Sequence, residues 1–339
     1  MFVPLPPSLP VAWCDSGPLQ PSMRLNVPSC PYHRGVTSNT ASPPHFLIGA
    51  SSWSDRSLLR DGAFYPRSSM RAPERLGFYS QRLTLAETGA TRLFPPTAEQ
   101  LRRWADQTPG DFVFDIPAWA LLCGAAALPS SLWEDLAGEV RPEARDKHRL
   151  YAEHLSLDGL AECWRRFREP LDMLDEAGKL GVCILRLPHW AKPGRTSTTL
   201  LGQARAALDG LGIAVELAHH GWHEGPQAED TLALLEDLEL AYVCRDEAAH
   251  PTHAAPLQAA TADVAVLRAL GRRPGRWQWP WRYSEDELDG LASTAERLGA
   301  GCSSVHIICA NAHSDDAIRA ALGLRERLSP APGQLSLFA

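Results

Sequence analysis

Eight short apolar runs recur along this chain with helix-patterned segments between them, and that alternation limits its possible folds more than any other feature. The runs are His45–Ala50, Leu83–Glu87, Phe112–Ile116, Val182–Leu187, Ile213–Leu217, Ala241–Arg245, Val264–Arg268 and Ser304–Ile308. Between them lie stretches with helical spacing, among them Ala98–Gln107, Leu155–Leu180, Ser284–Leu298 and Asp315–Leu328. Ser284-Glu-Asp-Glu287 reads as a capping box, the serine accepting from a backbone N–H and Glu287 reaching back. Strand, helix, strand, repeated eight times over roughly 280 residues, is the pattern of a TIM (β/α)8 barrel. A doubly wound open sheet is the alternative. Neither GxGxxG after the first strand nor GxxxxGK[ST] anywhere supports it. The expectation is an α/β protein with one TIM barrel over residues 45–328.

The flanks differ from this core. Residues 1–44 hold ten of the 28 prolines and three charged residues, Asp15, Arg24 and Arg34, without periodicity. They are expected to be a disordered extension, and prolines stand where a signal peptide needs its apolar core. Residues 329–339 are expected to be a flexible tail, a Ser329-Pro-Ala-Pro-Gly333 breaker leading to Gln334-Leu-Ser-Leu-Phe338. With 45% hydrophobic and 22% charged residues, the chain is neither fibrous nor wholly disordered. No apolar stretch is long enough to span a bilayer, so no membrane association is expected. The net charge of −7 excludes a global positive field for nucleic acid while leaving room for a local patch. Eight cysteines form no CxxC pair, and Cys183, Cys244 and Cys309 sit inside strand runs as small hydrophobes; a reducing cytoplasmic setting is expected.

In a TIM barrel, chemistry gathers at the carboxyl ends of the strands. Read in order, those ends carry Gly49-Ala-Ser-Ser-Trp53-Ser54, Glu87, Asp115, Arg186, Glu216 with His219, Asp246, Arg268, and His306 with Asn311. Together with Phe64-Tyr-Pro66, Leu101-Arg-Arg-Trp104, Val215-Glu-Leu-Ala-His219 with Trp222, Trp281-Arg-Tyr-Ser-Glu-Asp-Glu-Leu288 and Ala317–Arg325, the order and spacing resemble the YecE-like family, domain of unknown function 72. The resemblance implies a TIM barrel in a family without an established reaction. Against the family pattern, the run after the second strand is Glu87-Thr-Gly-Ala-Thr-Arg-Leu93, a lysine is replaced by Asp115 and a glutamine by Arg186. Ala218, His220, Leu270 and Ala310 also depart from it.

Glu216 ends an apolar strand, where a charge persists only if paired or functional. It is a candidate general acid or base with His219, Asp246 and Asn311; an ion pair with Arg186 is the competing structural account. The cluster His219-His-Gly-Trp-His223-Glu224 lacks HExxH spacing, and no metal or other cofactor is assigned. The loop Arg272-Arg-Pro-Gly-Arg-Trp-Gln-Trp-Pro-Trp-Arg282 interleaves arginine with tryptophan, which suits unpaired nucleic acid. Arg268, Arg276, Trp277 and Trp279 are therefore candidate ligand-binding residues, as are Trp53 and Trp222 for a planar or sugar ligand. The tail resembles the pentapeptide by which bacterial replication and repair proteins dock on the DNA polymerase sliding clamp. Gln334 hydrogen-bonds at one subsite in that reading, and Leu335, Leu337 and Phe338 supply apolar anchors. Three functions follow: a clamp-docked accessory factor of DNA metabolism, an acid–base or metal-assisted enzyme on a small or sugar-phosphate substrate, and a barrel that has lost its family's polar site.

Overall fold

The computed structural model describes residues 43–249, 255–273, 280–311 and 313–329. Its strands are β1 (His45–Ala50), β2 (Leu85–Glu87), β3 (Val113–Pro117), β4 (Leu180–Leu187), β5 (Ile213–Leu217), β6 (Ala241–Glu247), β7 (Val264–Gly271) and β8 (Ser304–Cys309). Each pairs in parallel with the next, and β1 pairs with β8, closing the barrel. The helices are α1 (Arg56–Asp61), α2 (Ala72–Ser80), α3 (Ala98–Asp106), α4 (Leu157–Glu176), α5 (Arg195–Ala207), α6 (Pro226–Asp237), α7 (Glu285–Gly299) and α8 (Asp316–Leu328). The expected TIM barrel is the fold. None of the helices described is long and apolar enough to cross a membrane.

Period-two alternation divides the buried residues into two cores. Leu47, Leu85, Val182, Ile184, Ala214, Val243, Val266 and Ile308 pack together as the barrel's filling. Their strand neighbours, such as Ile48, Cys183, Val215, Tyr242 and Ile307, face the helices and join a larger outer core. Among the described residues six cysteines are free, all buried except the half-buried Cys302.

Local chemistry sets the helix ends. Ser156 caps α4 by accepting from Gly159 N at 2.9 Å, and Gly178 follows its end with φ +67, so this helix is shorter than the predicted Leu155–Leu180. The Ser284–Glu287 capping box is present at α7. Two connections depart from simple alternation. Between β6 and β7 no helix occurs among the described residues, and Thr261 there bonds Tyr242 N and Leu240 O instead. Between β3 and α4 the chain makes an excursion of short 3-10 turns, buried at its start and more exposed later, pinned by bridges Ala127–Leu150 and Val140–Leu155.

The tightest place is the β1–β2 seam, where only Gly49–Leu85 and Ala50–Ala86 pair. The Tyr79 hydroxyl sits there, accepting from Ala50 N at 2.7 Å and donating to Leu85 O at 2.8 Å. A Cβ on Gly49 would lie 1.7 Å from Leu85 O. Gly49→Ala is therefore expected to force the seam apart and cost at least about 2 kcal/mol in urea unfolding. A loss under about 0.5 kcal/mol would show that β1 has room to shift.

Candidate functional site

Continuing the inward parity of each strand to its carboxyl end places charged residues above the apolar filling: Glu87 on β2, Arg186 on β4, Glu216 on β5, Arg245 and Glu247 on β6, and Arg268 on β7. Register reinforces this, because Arg186 lies beside Glu216 and Arg245 beside Arg268. Arg268 grips both oxygens of Glu87, through Nη1 to Oε2 and through Nη2 to Oε1 at 3.2 Å, while Arg186 Nη2 contacts Oε1. Glu216 Oε2 lies 3.3 Å from Arg186 Nε and 3.5 Å from Arg268 Nε. Arg245 Nη2 pairs with Glu247 at 2.7 Å. Proximity and alignment disagree here: Arg186 Nε and Nη2, Glu216 Oε2 and Arg245 Nε are buried without a well-directed hydrogen bond. The distances are what matter for charge, since Coulomb attraction needs no alignment.

Burial alone would raise the Glu87 carboxyl, but Arg186 and Arg268 outweigh it and hold the group at about 2. Burial likewise opposes ionisation of Glu216, and Arg268, Arg186 and Arg245 pull it below the ordinary carboxylate value. Both carboxylates are thus ionised and committed to guanidinium partners.

Deeper in the barrel, His306 Nδ1 on β8 lies 2.9 Å from Asp115 Oδ1 on β3, which also accepts from Val182 N at 3.0 Å. Both side chains are sealed from solvent. They fit because position 181 is glycine: a Cβ there would stand 2.3 Å from Asp115 Oδ1 and 2.8 Å from His306 Cε1.

Of the residues expected at the site, Glu216 and Arg268 share this network. His219 lies just beyond β5, its Nδ1 accepting from Gly221 N at 3.0 Å and its ring stacked on His220. Asp246 has the outward parity of β6 and accepts from Tyr283 Oη and Arg272 Nη2, each at 2.7 Å. Asn311 is fully buried and donates through Nδ2 to Trp281 O at 2.7 Å. Trp53 is buried edge-on to Trp104, with centroids 5.2 Å apart. Trp222 is buried, donating to Ala191 O at 2.7 Å. Arg276, Trp277 and Trp279 lie outside the described residues, as do Gln334, Leu335, Leu337 and Phe338. His223, in the histidine cluster, is buried and donates or accepts only locally, at Leu217 O and Tyr242 Oη. Burial, then the nearby Arg245 charge, keeps it below its ordinary value and so neutral. Among the described residues, no group of three His, Cys, Asp or Glu side chains is arranged to hold a metal ion.

The profile described as "Protein of unknown function DUF72" matches residues 47–337. The chain belongs to the DUF72 family. A DUF72 family protein from Enterococcus faecalis V583 superposes with a TM-score of 0.63 at 20% identity, over 76% of this chain and 94% of that one. A second crystal structure of that protein gives 0.67 at 18% identity, over 84% and 96%. A DUF72 family protein from Thermotoga maritima MSB8 gives 0.61 at 20% identity, over 84% and 100%. At these identities the DUF72 likeness bears on the fold alone. Comparison with curated proteins finds no match.

Arg186 lies beside Glu216 as the competing ion-pair account expected, whereas Arg245 was not among the expected site residues, although inward parity counted from Ala241 reaches it. Removing one partner of such a pair leaves a buried charge exposed to low dielectric. Glu87→Gln is expected to cost about 3–5 kcal/mol near pH 7. The carboxyl titrates near 4.5 when unfolded and about 2 when folded, so its stabilisation is complete above pH 4.5 and fades as pH falls toward 2. The stability gap between wild type and Glu87→Gln should accordingly narrow in urea unfolding from pH 5 to pH 3. A gap that stays constant would mean the carboxylate is not held by the arginines.

Proposed function

We propose that this DUF72 protein is a non-enzymatic accessory factor of bacterial DNA replication or repair, docked on the sliding clamp by Gln334-Leu-Ser-Leu-Phe338. The observation that carries the non-enzymatic half is the neutralised mouth. A general base must be free to take a proton, and a general acid must hold one near neutral pH. Glu87 and Glu216 do neither, because Arg186 and Arg268 keep both ionised and occupied. Asp246 accepts hydrogen bonds from Arg272 and Tyr283. The barrel then serves as a folded body that the clamp brings to DNA.

The docking half is supported by the peptide's chemistry. It follows a segment rich in proline and glycine, and it combines one amide side chain with two apolar anchors, Leu337 and Phe338. An extended peptide of this composition gains affinity by filling an apolar pocket while the amide fixes its position. Nucleic acid contact near Arg276, Trp277 and Trp279 belongs to the same reading, since stacking and phosphate pairing suit that composition.

Isothermal titration of the full chain against a purified bacterial sliding clamp is expected to show saturable binding. Leu337→Ala plus Phe338→Ala should weaken it at least about 30-fold, the loss of two hot-spot side chains. Equal binding by the wild type and the double variant would remove the peptide from the interface and the reading with it.

A further inference from the structure

A cavity lies beyond the carboxyl end of β4, next to the strand that carries Arg186. The chain leaves β4 at Leu187, runs through Pro188–Gly194 and enters α5 at Arg195. Between that loop and the start of the excursion after β3, at Cys123 and Gly124, is a cavity of about 370 Å3. Its lining includes the buried Leu187, Cys123 and Ser197 and the exposed Trp190, Lys192 and Arg195. A cavity of this size falls in the lower part of the range used by small-molecule sites.

Three independent properties of this cavity point to one ligand chemistry. First, Trp190 is 52% exposed, whereas Trp53, Trp119 and Trp222 are all buried. His189 stands edge-on to its ring at 4.7 Å. A large indole left half in water at a cavity edge loses apolar stabilisation that a planar ligand stacked on it would restore. Second, Lys192 and Arg195 form no ion pair among the described residues, in a protein whose net charge is −7. Two unpartnered cations beside one cavity favour an anion. Third, α5 has 13 residues, no acidic residue in its first turn, and glycine at its N-cap, so no side chain caps it. Ser197, the one hydroxyl buried nearby, is already donating to Lys192 O at 2.8 Å. The helix end adds its positive field to the two side-chain charges.

We propose that this pocket binds a single nucleotide, with its base stacked on Trp190 and its phosphate held by Lys192, Arg195 and the amino end of α5. The volume accommodates one nucleotide and not several. The same chemistry is offered by a free nucleoside monophosphate and by the phosphorylated end of a DNA strand. Binding here does not involve residues 334–338, so its failure leaves the clamp reading untouched.

The test is isothermal titration of the full-length protein with deoxyadenosine monophosphate, deoxyadenosine, inorganic phosphate, and a ten-nucleotide single strand with and without a 5′-phosphate. The monophosphate is expected to bind at least tenfold tighter than deoxyadenosine or phosphate alone. Lys192→Ala plus Arg195→Ala should raise its Kd at least tenfold and steepen no other part of the binding curve. Trp190→Ala should raise it about fivefold while leaving the binding of inorganic phosphate unchanged. All three substituted side chains are exposed, and unchanged thermal midpoints will establish that the variants fold. Tighter binding of the phosphorylated strand than of free monophosphate assigns the site to strand ends, and the reverse assigns it to free nucleotide; either supports the proposal. Kd values within twofold of wild type in both variants would overturn it, as would phosphate binding as tightly as the nucleotide.

Discussion

A closed barrel has one interior, and any charge that enters it must find its counter-charge there. In this protein Glu87 does so through two guanidinium groups from strands far apart in sequence, Arg186 and Arg268. Remove that arrangement and the upper layer of the barrel holds like charges facing one another in a medium that cannot screen them. The apolar filling beneath, from Leu47 to Ile308, can be continuous because the charges above it close on themselves. Register then does the rest: once Arg186 lies beside Glu216 and Arg245 beside Arg268, the strands cannot slip by one residue without turning charges into the helix layer.

Much of this was legible in the sequence, for a reason rooted in geometry. A strand buried on both faces must be almost wholly apolar, so strands such as Ile213–Leu217 stand out against amphipathic helices such as Asp316–Leu328. The eight strands and their order followed from that contrast. What stayed hidden depends on closure. Nothing local to Asp115 announces that His306, 191 residues later, will meet it across the barrel. Asp246 illustrates the opposite limit: it stands at a strand end, where barrel chemistry gathers, yet one residue of parity turns it toward Tyr283 instead of the interior. The excursion after β3 was equally unreadable, because its 3-10 turns have no periodicity of their own and are ordered by the surface they cover.

The two barrel regions that carry charge behave differently. The interior charges are mutually neutralised and shielded, which suits holding a shape. On the rim between β4 and α5, Lys192 and Arg195 form no ion pair among the described residues and Trp190 stands half in water, which suits meeting something from outside.

Gly181 makes the Asp115–His306 pair depend on a third strand. The pair occupies the volume that a side chain at 181 would claim, so a larger residue there must displace Asp115 or His306. The hydrogen bond across the barrel is therefore kept open by a missing side chain on β4.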